Sequence, residues 1–244
     1  MFWIVESEMF TKSILQIFHP EPKAATKGGS PAGIFHATPM SKRLEMGQAI
    51  ATFEGRYRGS NLQVYNLPKA DGVGSFEVAG INECYDSEMS SELRTLISCG
   101  EHREAEQMVA DYIVDYTAGV VEFFPESHNA DDYPGIECVL RDTAFNRGMK
   151  GAAAVLQLAL EMGEVDGVVG PKTRAKFGEQ LTRADELLSA LTRAREAYER
   201  TSYPWKKARR DEGSKLWKHL SKRWAQTHTV AGTLAAQRYD RCGE

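Results

Sequence analysis

No run of apolar residues in this chain approaches the roughly 20 needed to cross a bilayer, which excludes a conventional membrane-spanning helix. Cysteine is sparse. Cys84, Cys99, Cys138 and Cys242 form no CxxC pair, and no histidine stands near them at zinc spacing. The usual structural zinc motifs are therefore excluded, a cysteine nucleophile has no support, and free thiols are expected. Neither a metal nor any other cofactor is implied. The opening residues, Met1-Phe2-Trp3-Ile4-Val5-Glu6-Ser7-Glu8, lack the basic start, long apolar core and small-residue cleavage site of an export signal. The expectation is synthesis in the cytoplasm, with any target beyond the membrane reached through another system. Tandem repeats and low-complexity segments are missing too, so a solenoid is not expected. Nucleic acid is not an expected partner, because the chain carries a formal net charge of −4 and no recognition motif.

What is present suits a globular protein. The 244 residues are enough to bury a substantial core, and 42% hydrophobic with 26% charged residues is ordinary for one. The small net charge hides a division. Residues 1–140 hold 21 acidic and 10 basic side chains, whereas residues 141–244 hold 13 acidic and 20 basic, or −11 against +7. Such a dipole can orient a protein on a charged polymer.

Residues 1–40 read as an appendage or linker. Ile14-Leu15-Gln16-Ile17-Phe18 is followed by Pro20, Pro22 and the turn-forming cluster Lys27-Gly28-Gly29-Ser30-Pro31. From Ser41, an N-cap residue type, Leu44, Met46, Ala49, Ile50 and Phe53 recur at three- and four-residue spacing, which predicts an amphipathic helix ending at Gly55. Leu62-Gln63-Val64-Tyr65-Asn66-Leu67 and Ser75-Phe76-Glu77-Val78 alternate like strands, and Lys69-Ala70-Asp71-Gly72-Val73-Gly74 between them reads as a hairpin loop. After Ser87 the pattern is helical. Gly100 closes one helix, and a stripe from Ala105 through Tyr116, Val120 and Phe123 predicts a long second one. Two more run Pro134 to Asn146 and Lys150 to Met162, ended by Gly148 and Gly163. Pro171 suits the first position of another, and residues 183–202 and 211–228 complete the set. The expected fold class is α+β and mostly α-helical, with one small β-hairpin lobe.

Chemistry concentrates in the carboxylates around that hairpin. Breaking a glycosidic bond requires a protonated acid at the leaving oxygen and a second carboxylate, acting on water or as nucleophile. Glu54 falls in the last turn of its helix beside the apolar Phe53. A helix C-terminus disfavours an anion, and an apolar surface raises a carboxyl pKa, so Glu54 is the expected acid. The second group is left open between Asp71, in the glycine-bearing loop, and Glu77, on the returning strand, with Glu83 a weaker third candidate. An aspartate before glycine is also a common turn residue, and a strand glutamate often simply faces solvent.

Glu54, the Asp71-Gly72-Val73-Gly74 turn and the Ala79-Gly80-Ile81 strand occur in an order that resembles glycoside hydrolase family 108, the N-acetylmuramidases and phage or secretion-associated lysins. The same order is similar to that of the chitosanases. Further along, Asp142-x-x-Phe145-Asn146-x-Gly148, Leu156-Gln157 and Asp166-Gly167-x-x-Gly170-Pro171-x-Thr173 resemble the predicted peptidoglycan-binding region that ends these muramidases. Arg195, Tyr198, Trp217 and Trp224 resemble the family's closing helices. The likeness spans roughly residues 41–225. It implies a lysozyme-like fold, with 41–132 as catalytic lobe, 133–228 as helical peptidoglycan-binding lobe and 229–244 as tail. It also implies cleavage of the β-1,4 bond between N-acetylmuramic acid and N-acetylglucosamine. Tyr57, Phe145, Asn146 and Gln157 would then bind glycan strands of peptidoglycan, the amides matching acetamido groups and the aromatics stacking on sugar rings. Two departures stand out. The family pattern reads Glu-Gly-Gly-Tyr where this chain has Glu54-Gly55-Arg56-Tyr57, and it places a threonine where this chain has Glu77. The rival readings are a chitosanase-like glycosidase and a non-catalytic wall-binding or phage structural module.

One further segment carries its own signal. From Trp205 to Trp224, eight lysines and arginines interleave with Trp205, Trp217 and Trp224, and Leu216, Leu220 and Trp224 recur at helical spacing. A packed final helix with a basic solvent face is expected there, with contact to an anionic wall or membrane surface as the alternative.

Overall fold

The expected first helix forms as α1, Met40–Glu54; of its predicted stripe Met46 and Ile50 are buried, whereas Leu44, Ala49 and Phe53 are half-buried. The computed structural model describes residues 40–67, 75–201 and 212–239. The expected appendage, Asp71 with its loop, and the first half of the basic segment lie outside these. The chain is mostly α-helical α+β and divides into two compact units, Met1–Ile113 and Val114–Glu244. This boundary lies earlier than the expected one at 132/133.

In the first unit the β structure is richer than the single hairpin expected. Strand β1 (Arg56–Arg58) pairs antiparallel with β2 (Asn61–Gln63). A separate three-stranded antiparallel sheet has the order β3 (Tyr65–Asn66), β4 (Phe76–Val78), β5 (Ile81–Asn82). The long strand predicted over 62–67 is therefore broken at Val64, and its two halves serve different sheets. Local alternation cannot reveal such a change of partner, because both halves keep the period of two. The hairpin β4–β5 turns through only Ala79 and Gly80, both at positive φ (48° and 80°), the geometry that two-residue hairpin turns favour. Helix α2, Ser87–Cys99, is capped by Asp86, whose Oδ1 accepts from the Met89 N–H at 3.0 Å. It packs on β4 and β5, with Leu93 buried and Arg94 over the Phe76 ring at 4.7 Å. Gly100 ends it in the left-handed conformation, as its sequence position suggests.

Helix α3 runs His102–Tyr116, and the boundary between units falls in its last turn. The predicted stripe does not continue as α-helix; residues Ala118–Phe123 form a 3-10 segment, and Ala130–Asp132 a second one. The second unit is organised around α4, Pro134–Ala159, which packs on α6 (Ala184–Thr201) and α7 (Lys215–Tyr239). Between α4 and α6 lies α5, Pro171–Leu181, with Pro171 at its start as expected. As expected, Gly148 interrupts α4: at φ 68° and ψ 170° it is non-helical, and two helices meet there at a kink. The expected tail from residue 229 is instead helical as far as Tyr239.

The turn between α4 and α5 is fixed by one side chain. Gln157 Nε2 donates to Asp166 Oδ1 (2.7 Å) and the Val168 carbonyl (3.0 Å), while its Oε1 accepts from the Gly167 N–H (2.8 Å). Gly167 has φ +73°, and a Cβ there would meet Lys150 Cγ at 2.6 Å and the Lys150 carbonyl oxygen at 2.9 Å. Gly167→Ala should cost roughly 1–3 kcal/mol through the left-handed backbone and this crowding. Equilibrium urea unfolding checks it, and a change within a few tenths of a kcal/mol would contradict the account.

Candidate active site

Two glutamates from distant elements approach each other in the first unit. Glu54 is the last residue of α1, and Glu77 is the middle residue of β4, the central strand of its sheet. Period two divides β4 between faces: Phe76 and Val78 are buried, while Glu77 stays partly exposed. Register then builds a row across the sheet. Tyr65 on β3 and Asn82 on β5 both stand opposite Glu77. Burial, followed by the negative charge of Glu54, pushes the Glu77 carboxyl up to about 7, and the Arg56 guanidinium opposes them. A carboxyl in that range still holds its proton near neutrality and can deliver it.

Arg56 opens β1, and its guanidinium carbon lies 3.5 Å from the centroid of the Tyr65 ring. Gly55, between Glu54 and Arg56, donates to the Ala51 carbonyl at 2.6 Å. A Cβ on Gly55 would come within 2.8 Å of the same oxygen and 2.5 Å of the Tyr57 ring. Glycine is needed there because helix end, aromatic ring and strand start share one small volume. Tyr57 itself is 36% exposed on β1. Its hydroxyl is held above the usual tyrosine range, mainly by partial burial and then by the charge of Glu106.

Asn82 is fully buried, and its Oδ1 accepts from the Cys84 N–H at 2.8 Å. Among the described residues its Nδ2 meets no hydrogen-bond partner. A buried amide donor beside Glu77 is a group that sequence reasoning passed over. Glu83 has a different task from the one considered for it. Its Oε2 accepts from both the N–H and the hydroxyl of Ser75, each at 2.7 Å, which pins the start of β4. Those donors hold its carboxyl below the usual range. Asp71 lies outside the described residues. Among those described, no group of three or more His, Cys, Asp or Glu is arranged to hold a metal ion.

The residues expected to bind sugar in the second half are used in folding the second unit. Phe145 is buried, edge-on to Tyr116 at 5.9 Å. Asn146 Nδ2 donates to the Asp142 carbonyl at 2.9 Å. Gln157 is only 3% exposed and spends its amide on the turn already described. Asp142, the first residue of that motif, is fully buried and held from two helices. Arg195 on α6 and Arg223 on α7 ion-pair with it, Arg223 Nε donates to Oδ1 at 3.1 Å, and the Thr227 hydroxyl donates to Oδ2 at 2.8 Å. Nearby, Arg147 pairs with Glu199, and Arg141 joins Glu137 (2.7 Å), the Val114 carbonyl (2.9 Å) and Thr117 Oγ1 (2.8 Å).

In the described part of the basic segment, Trp217, Leu220 and Trp224 form a buried cluster, with the two indoles edge-to-face at 5.3 Å. Arg200 stacks on Trp217 at 4.1 Å. The apolar face of that helix is thus occupied inside the unit, and Lys218 and Lys222 face solvent. No described helix is long and apolar enough to cross a membrane.

No family model matches the chain, and no curated protein matches it either. Among solved structures it is similar to the structure of Brucella abortus SagA, with 19% sequence identity and a TM-score of 0.49, over 81% of this chain and 97% of that one.

Proposed function

We propose that this chain is a lysozyme-like glycoside hydrolase that cleaves the β-1,4 bond between N-acetylmuramic acid and N-acetylglucosamine in peptidoglycan. The observation that carries the reading is the pairing of Glu54 with Glu77. The charge of Glu54 reaches the Glu77 carboxyl, both side chains are partly open to solvent, and Glu77 is pushed to about 7 by burial and by that charge. Glycosidic cleavage needs that asymmetry, a proton at the leaving oxygen and an anion for the water or the forming cation. From sequence Glu54 was the expected proton carrier. Burial in the sheet and the neighbouring charge favour Glu77 instead, with Glu54 as base or nucleophile. The Tyr57 ring lies against Gly55, next to Glu54, and is partly exposed for stacking on a sugar. The chitosanase-like alternative fits less well, because Arg56 next to the acid repels a cationic sugar. The enzyme would meet its substrate in the cell wall after release or translocation by another system.

Reducing-end release from purified peptidoglycan tests the proposal. The wild-type protein is expected to generate new reducing ends. Pelleting with sacculi while releasing none would identify a binding module and end the enzymatic reading.

A further inference from the structure

We infer that Arg56 is the specificity-determining residue of this site, selecting glycans that carry a carboxylate beside the bond to be cut. The inference rests on the glycosidase reading and names the substrate chemistry that the same site accepts.

The first support is placement. Arg56 lies two residues from Glu54, its guanidinium covers Tyr65, and Tyr65 stands opposite Glu77 across the sheet. Its charge is felt at Glu77. The second support is that the cation is uncommitted. Arg56 is exposed, and among the described residues its guanidinium forms no ion pair. Stacking occupies the flat face of a guanidinium and leaves its N–H edges open. That planar fork matches a carboxylate through two parallel hydrogen bonds, and the ring beneath fixes it in advance. The third support is electrostatic. A cation beside a proton donor works against it by favouring the ionised form. An anionic substituent on the substrate would cancel that pull, so that binding the right glycan secures the proton on Glu77. A neutral glycan would leave Glu77 more readily ionised and so less often protonated. The resembled family pattern has glycine at this position, so the selectivity would belong to this chain.

The test measures binding by calorimetry to full-length protein carrying Glu77→Gln, which stops turnover. The ligands are a tetrasaccharide alternating N-acetylglucosamine and N-acetylmuramic acid with free lactyl carboxylates, the same glycan with those groups converted to methylamides, and a peptide-bearing form. The free acid should bind about tenfold or more tightly than the methylamide, in line with a charge-assisted hydrogen-bonded pair. Adding Arg56→Gln should erase that difference by weakening binding of the free acid to the level of the methylamide, and circular dichroism with thermal unfolding shows that the variant is folded. Arg56→Lys should recover part of it. The peptide-bearing form separates the sources: tight binding assigns the carboxylate to the peptide, weak binding to the lactyl group. Equal affinity for acid and methylamide, or a preference that survives Arg56→Gln, overturns the role of Arg56 alone. Failure of all three glycans to bind overturns the glycosidase reading together with it.

Discussion

Glu77→Gln is expected to lower glycan turnover by about 10²- to 10⁴-fold, the usual worth of a positioned general acid, and to make the protein more stable at alkaline pH. The two effects have one origin. The Glu77 carboxyl is raised from 4.5 to about 7, so its ionised form is disfavoured in the folded chain. A group shifted upward contributes stability that is complete below its unfolded value, near 4.5, and is lost as pH rises through about 7. At alkaline pH wild type therefore carries a penalty of roughly 3–4 kcal/mol, and glutamine, nearly the same shape and never charged, escapes it. Turnover by wild type should likewise fall as pH rises through about 7. Glu54→Gln, which removes the proposed base or nucleophile, should abolish turnover and move the titration of the Glu77 carboxyl itself to lower pH, because the charge of Glu54 helps hold the proton there. Activity assays and thermal unfolding at acidic and alkaline pH read the first effects, and carbon-13 NMR titration of Glu77 reads the last. A Glu77→Gln protein that is inactive and less stable at every pH would make Glu77 a structural residue, and the site would lose its acid.

Asp142→Ala carries the largest expected loss of stability, about 3–5 kcal/mol by analogy with other broken buried ion pairs. Arg195 and Arg223, both nearly inaccessible, would be left buried without their counter-ion, and Thr227 would lose its acceptor. Burial by itself would raise the Asp142 carboxyl. The two guanidiniums outweigh burial and bring it down from 3.8 to about 2. A group shifted downward contributes stability above its unfolded value, near 3.8, and that contribution is lost as pH falls through about 2. The second unit should thus resist mild acid and give way only near that lower value. Urea unfolding of Asp142→Ala and Asp142→Asn measures the cost. A loss below about 1 kcal/mol, the range of exposed pairs, would show that the cluster does not hold α4, α6 and α7 together.

Much of the helical scaffold was legible because its signals are local. The period of α1, the left-handed Gly100 after α2 and Pro171 at the head of α5 each depend on a few neighbouring residues. What escaped depended on distant partners. Val64 divides one apparent strand between two sheets, and no nearby residue announces it. The motif from Asp142 to Gln157 resembles a sugar-binding element in spacing. Its polar atoms are spent on Arg195, Arg223 and the Asp166–Val168 turn, partners 9 to 81 residues away, so its regularity is that of folding. In the candidate site, Glu54 and Glu77 could each be named from sequence, but which one keeps the proton could not. That depends on how deeply β4 is buried and on a charge more than 20 residues upstream. Arg56 and Asn82 were visible only as an odd residue in a glycine position and a lone amide ending an apolar strand.

The two-residue turn at Ala79-Gly80 sets the phase of the site. Neighbouring residues on a strand face opposite ways, and the turn length decides which residue of β5 meets which residue of β4. With Val78 opposite Ile81, Glu77 falls in line with Asn82, in the same row as Tyr65. One residue more in the turn, with pairing still starting at Val78, would bring Ile81 opposite Glu77 in place of Asn82. Which residue faces Glu77 is in that sense a matter of parity, kept by a loop of two residues.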